Sequence, residues 1–259
     1  MTGREIVLTE AQRARLALPR YPRSAKYDAA WAIANMMGPN ALWLMEALCA
    51  ALALEPGMRV LDLGCGKAIS SIFLAREFGV RVWAADLWIA PTDNLARIEQ
   101  AGVSDLVFPL RAEAHDLPFA ERYFDAVVSV DAYHYFGTAD LYFAQHVAPI
   151  VKPGGQFGIV VPGVAAELTE APPRLTPYWD PAFSSFHSPE WWRGNISRSG
   201  RATVTTADRL PEAWRDWLSW QEVCAEAGMR PEAARREAEM LRADAGELLG
   251  FTRLVARVT

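Results

Sequence analysis

Two rhythms of apolar and polar positions run along this chain. Between residues 58 and 161, short apolar runs recur at 58–63, 80–86, 106–111, 125–130 and 156–161. They are too short for helices and rich in Val, Ala, Leu and Phe, which suits strands buried on both faces. Helical patterns fill 68–78, 92–101 and 139–150 between them. This alternation predicts an α/β fold with an open, mostly parallel sheet; right-handed crossovers then put helices on both faces.

The flanks read differently. Residues 1–34 form a mostly helical N-terminal arm, and Asn40 can cap a helix over 41–54, stopped by Glu55, Pro56 and Gly57. After Val161 a proline-rich stretch to 181 has no clear period. Ser188 and Pro189 then make a helix start, and the helix stops at Gly200. A strand is predicted from 202 to 206. Two helices follow, over 211–227 and 231–245, the second solvated outside. A last strand over 251–258 alternates apolar and basic residues, as an edge strand does. The chain divides into a helical arm or lid (1–55), a core (56–162) and a third region (163–259) that ends the sheet and carries helical insertions.

The chemistry concentrates where the first predicted strand meets its helix. Val60-Leu61-Asp62-Leu63-Gly64-Cys65-Gly66-Lys67 runs from an apolar strand into a glycine turn. Glycines there let backbone approach a ligand, and the helix start aims free N–H groups at it. A dinucleotide fingerprint needs a third glycine where Ile69 stands, and a Walker loop also fails. Asp62, two residues before Gly64, is poor beside a pyrophosphate but suits a ligand carrying an ammonium. Lys67 is expected to face solvent.

This D-L-G-C-G run resembles the first motif of the class I S-adenosylmethionine-dependent methyltransferases, in the style of the bacterial cyclopropane-fatty-acid-synthase-like grouping. Four later signals match in order. Asp86 ends the second strand; Glu113-Ala114 precedes Leu117-Pro118-Phe119; Ala132-Tyr133-His134-Tyr135-Phe136 follows the fourth strand; and Lys152-Pro153-Gly154-Gly155 precedes the fifth. The resemblance implies a Rossmann-like seven-stranded sheet whose last strand is antiparallel. It implies S-adenosyl-L-methionine as cofactor, with S-adenosyl-L-homocysteine as product. Asp62, Gly64, Cys65 and Gly66 would hold it, with Asp86 on the ribose hydroxyls, Glu113 and Ala114 on the adenine, and Leu87 and Ser129 at the neighbouring strand tips. Tyr21 and Tyr27 of the arm are expected to close over it.

The acceptor belongs beside the carboxyl end of the fourth strand. His134 is the candidate general base, because its ordinary pKa lies near neutrality; alternatively it only shapes the pocket. Asp131 can bind a cationic acceptor or cap the next segment. Tyr133 contacts substrate or packs. Tyr21, His187, Trp191 and Trp192 are candidate substrate contacts; for the last three, on the cap, core packing is the competing reading. Trp214 and Trp217 read as core.

Composition narrows the rest. The net charge of −5 argues against a nucleic-acid partner. The three cysteines, Cys49, Cys65 and Cys224, show neither metal spacing nor a disulfide framework, which fits a reducing cytoplasm. No metal ligand set, secretory leader or membrane span is expected. The oligomeric state, monomer or homodimer, stays open. The expected reaction is methyl transfer to N or O of a small molecule. The rivals are C-methylation of a lipid or isoprenoid, and a non-catalytic cofactor-binding protein.

Overall fold

Side-chain capping sets the first helices. The computed structural model describes residues 6–259; residues 1–5 of the expected arm lie outside the described residues. Thr9 and Gln12 close a capping box on α1 (Glu10–Leu16). Asp28 caps α2 (Ala29–Ala34), and Asn40 caps α3 (Ala41–Cys49) by accepting from Leu42 N (3.0 Å). The arm is therefore short helices joined by turns, less helical than its composition suggests.

The alternating core follows the sequence pattern: β1 (Arg59–Leu63), α4 (Ile69–Phe78), β2 (Arg81–Asp86), α5 (Pro91–Gln100), β3 (Val107–Arg111), β4 (Phe124–Val130) and β5 (Val151–Val164). Then come α6 (Pro189–Arg198), β6 (Ala202–Arg209), α7 (Ala213–Glu226), α8 (Pro231–Asp244) and β7 (Leu249–Val258). The seven strands lie in the order β3-β2-β1-β4-β5-β7-β6. The first five are mutually parallel; β7 is antiparallel to both its neighbours. This is the expected Rossmann-like α/β sheet, helices on both faces.

Two local expectations fail. The last strand is not an edge: β7 lies between β5 and β6, and β6 takes the edge. Its basic residues misled. Arg253 is folded back on Asp208 (2.7 and 3.0 Å) and on the Ala47 carbonyl (2.8 Å), so charge alternation here does not mean solvent. The helix expected over 139–150 is a single wide π-turn (Phe143–Val147) followed by a 3-10 turn (Ala148–Ile150). Pro149 has no N–H to donate and cannot continue a regular helix.

Each sheet face has its own core. One, under α3, α4 and α7, is built on Ile33, Met45, Ile72, Phe73 and Trp220. The other, under α6 and the 142–150 segment, is built on Tyr133, Phe143, Phe157 and Trp192. Burying each such side chain contributes about 2–3 kcal/mol. The two cores hold the strands rigid, so the strand tips are fixed points for a site.

Candidate active site

At the carboxyl ends of β1, β2 and β4 lies a cavity of about 370 Å³. Its floor is the turn after β1. Gly64 and Gly66 have φ of +75° and +54°, the left-handed region that glycine enters without strain. A Cβ on Gly64 would stand 2.5 Å from the Ala132 Cβ, and one on Gly66 2.7 Å from the Met37 sulfur. No side chain fits at either position without something moving.

Asp86 fixes the turn from the tip of β2. Gly66 N–H donates to its Oδ2 (2.8 Å), and Trp88 and Ile89 N–H donate to its Oδ1 (2.8 and 2.9 Å). The carboxylate is buried but lines the cavity, with lone pairs left for further donors. Glu113 lines it too. Its carboxylate accepts from His115 N (2.9 Å) and meets His115 Nδ1 (2.9 Å), and that contact lowers its pKa. Leu87, Trp88 and Tyr135 add an apolar, well-exposed rim.

Several expected residues meet here: Gly64, Cys65, Gly66, Asp86, Leu87, Glu113, Ala114 and Asp131 all line the cavity. Asp131 holds a left-handed backbone (φ +54°), a strained conformation for a non-glycine residue. Burial, then the charge of Glu237, push its pKa well above the carboxylate range.

Other expected residues do not line it. Asp62 is completely buried beneath the turn, where Ser70 and Ser71 hydroxyls both donate to its Oδ2 (2.6 Å each). Burial raises its pKa to about 6, and Oδ1 has no partner among the described residues. Asp62 thus ties α4 to β1 and supports the turn from below. Ser129 is buried within β4 with an unpartnered hydroxyl. Tyr27 packs on Phe73 and Trp31, and Tyr21 stacks on Trp43 with its hydroxyl on Asp216 (3.3 Å). Both tyrosines anchor the arm instead of closing over the cavity.

Tyr133 belongs to the core beneath α6. His134 is buried against Tyr135 and Phe186, away from the cavity lining, and burial lowers its pKa to about 3. A neutral, enclosed imidazole of that kind is a weak base. His187 lies flat on Trp191 (3.6 Å between centroids), and Trp192 is fully buried against Tyr133. These three form the wall of the second core, as the packing alternative has it. Lys67 lines the cavity and reaches the Ala34 carbonyl (3.3 Å), contrary to the expectation of a solvent-facing lysine.

The sequence reading missed the strap Asn35–Pro39, which contributes Asn35, Met37, Gly38 and Pro39 to the cavity. Its signal was the Gly38-Pro39 pair just before the Asn40 cap. The strap is pinned from the far end of the chain: Trp220 Nε1 donates to the Gly38 carbonyl (3.0 Å) and Arg230 to the Met37 carbonyl (2.6 Å).

Residues 60–155 match the family profile described as "Methyltransferase domain". The chain is 32% identical over 180 residues to a fatty-acid O-methyltransferase of Mycolicibacterium smegmatis, an alignment covering 65% of this chain and 61% of that protein. It is 30% identical over 190 residues to a demethylmenaquinone methyltransferase of Mycobacterium sp. (strain KMS), covering 70% of each. In fold it is similar to geranyl diphosphate C-methyltransferase from Streptomyces coelicolor A3(2), solved with Mg²⁺, geranyl diphosphate and S-adenosyl-L-homocysteine. There the TM-score is 0.66 at 17% identity, covering 83% of this chain and 79% of that one. The site fits the family's cofactor: the glycine turn leaves room that a Cβ would fill, Asp86 presents a carboxylate at the second strand tip, and Asp62 keeps an unpartnered oxygen below. On these matches, the chain belongs to the class I S-adenosylmethionine-dependent methyltransferases.

Proposed function

We propose that the protein methylates nitrogen or oxygen of a small-molecule acceptor by in-line displacement. The observation behind this reading is the single cavity lining that runs from Asp86 and Glu113, at the tips of the second and third strands, to Asp131 and Tyr135 beyond the fourth. A nucleoside at one end and an acceptor at the other would then share one enclosure. S-adenosyl-L-methionine, when bound, supplies a methyl group on a sulfonium, and transfer leaves the bonding pair on sulfur.

The chain's own task is to hold the partners in line and keep water out. Asp86 accepts the ribose hydroxyls, Glu113 and the Ala114 backbone face the adenine, and the turn at Gly64–Gly66 lets the methionine part approach the backbone. The strap Asn35–Pro39 and the rim of Leu87 and Trp88 cover the cavity. The second reading, C-methylation of a lipid or isoprenoid, is favoured by that exposed apolar rim, with Trp88 71% and Tyr135 58% exposed.

Titration calorimetry with S-adenosyl-L-homocysteine, followed by labelled-methyl uptake over a panel of small amines, phenols and prenyl compounds, tests the reading. Binding together with uptake by an amine or phenol supports it. Uptake confined to prenyl carbon favours the second reading. An absence of S-adenosyl-L-homocysteine binding overturns both.

A further inference from the structure

The end of the cavity away from Asp86 carries a carboxylate of its own. Asp131 lines it, and no described residue donates a hydrogen bond to its carboxylate. The carboxylate lies so close to the strap that a Cβ on Gly38 would stand 2.5 Å from its Oδ2. Glu237 comes from α8, within the insertion between β6 and β7. Its Oε2 accepts from Trp217 Nε1 (3.0 Å) and from Gln221 Nε2 (2.6 Å), so the side chain is held in place from α7. Burial raises its pKa, which Arg230 partly offsets.

The charged groups acting on the Tyr135 hydroxyl are Asp131, Glu237 and Asp180, against Arg230 alone. The Arg230 guanidinium is already engaged by the Met37 carbonyl. Across the cavity mouth, the rings of Trp88 and Tyr135 stand 6.3 Å apart. A carboxylate that no donor meets, in a pocket it shares with aromatic rings, is stabilised by a cation. Exposed aromatic faces beside it are what an ammonium prefers.

Resting on the methyltransferase reading above, we infer that the acceptor enters as a cationic amine, held by Asp131 against the Trp88 and Tyr135 rings. Asp131 is its base. The ammonium proton passes to the Asp131 carboxylate, and the lone pair it leaves on nitrogen is the nucleophile. Glu237 does not touch the reacting atoms; it is a positioning residue that supplies charge and keeps Asp131 basic.

The test is titration of benzyltrimethylammonium, a non-reactive permanent cation, into protein saturated with S-adenosyl-L-homocysteine, with neutral benzyl alcohol as the control. The cation is expected to bind at least about tenfold more tightly than the alcohol. Asp131→Asn should lose about tenfold in cation affinity and Glu237→Gln less, with S-adenosyl-L-homocysteine affinity unchanged and no loss of thermal stability. Wild-type cation binding should also weaken on acidification, as the acids protonate. Equal binding of cation and alcohol by the wild type overturns the inference without recourse to variants. So does a loss of S-adenosyl-L-homocysteine affinity in place of cation affinity, which would assign the acids to the cofactor's own ammonium. If S-adenosyl-L-homocysteine fails to bind the wild type at all, it is the methyltransferase reading itself that falls.

Discussion

The two ends of the cavity are built in different ways. At the cofactor end, each contributing group sits at a strand tip or within a few residues of one: the Gly64–Gly66 turn after β1, Asp86 closing β2, and Glu113 just past β3. At the acceptor end, the lining is assembled from the strap at Gly38 and the β4 tip at Asp131, about 90 residues apart in the chain, with Glu237 of α8 acting on Asp131 by charge from outside the lining. The first kind of site is fixed by the sheet and the second by tertiary packing. A substitution at the cofactor end should therefore act on binding of the nucleoside, and one at the acceptor end on what is methylated.

The largest effect is expected at the turn. Gly64→Val puts a β-branched side chain at φ +75° and into the Ala132 methyl, so S-adenosyl-L-homocysteine binding should vanish in calorimetry and the unfolding temperature should drop. Next, Asp86→Ala removes the acceptor for Gly66, Trp88 and Ile89 N–H as well as for a ribose. Two charge-assisted hydrogen bonds to the ligand are worth about 3 kcal/mol, a loss of affinity of roughly 100-fold or more. Either variant retaining wild-type affinity would break the contrast at its stronger side.

The two ends also carry buried titratable groups of opposite sign. Asp62, under the turn, keeps its proton up to about 6 when folded but loses it near 3.8 when unfolded. The folded state binds more protons in that window, so stability falls as pH rises through it. His134, on the acceptor side, stays neutral when folded down to about pH 3 although the unfolded chain protonates near 6.5. Here the unfolded state binds more protons, and stability falls as pH drops through the window. Asp62→Asn should gain stability chiefly above pH 6, and His134→Phe chiefly below pH 6, each by a few kcal/mol, in thermal melts run across pH. Retention of methyl transfer by His134→Phe would accord with its place outside the cavity lining.

The smallest expected effect sharpens the comparison most. Trp220→Phe removes the indole donor to the Gly38 carbonyl, worth about 1 kcal/mol, and the smaller ring leaves a void in the core that adds to that cost. With the strap loosened beside Asp131, cation affinity should fall more than S-adenosyl-L-homocysteine affinity, although Met37 of the same strap also meets the Gly66 turn. Parallel losses in both would mean that the ends are not separable.

The same contrast explains what could be read in the sequence. Strand positions at the cofactor end follow from apolar runs and local turn chemistry, so the placing of Gly64, Asp86 and Glu113 at strand tips on the cavity was legible. Asp62 was legible as important but not in its role, since its serine partners lie eight and nine residues on, across the turn. Tyr133, Trp192 and His187 looked like site residues because aromatic and imidazole groups near a strand tip serve substrates and cores alike. Only the burial of Trp192 and the stacking of His187 on Trp191 decide between them. Glu237 had no local signal at all: within α8 it is one more acid among the charged positions that repeat along the helix, and only the fold brings its charge to bear on Asp131.

The most direct test of the central claim is a crystal structure of the protein grown with S-adenosyl-L-homocysteine. The ribose hydroxyls should lie on the Asp86 carboxylate, the adenine beside Glu113 and Ala114, and the sulfur should face the Asp131 end. A nucleoside found outside the Gly64–Gly66 turn, or pointing its sulfur away from Asp131, would contradict the account.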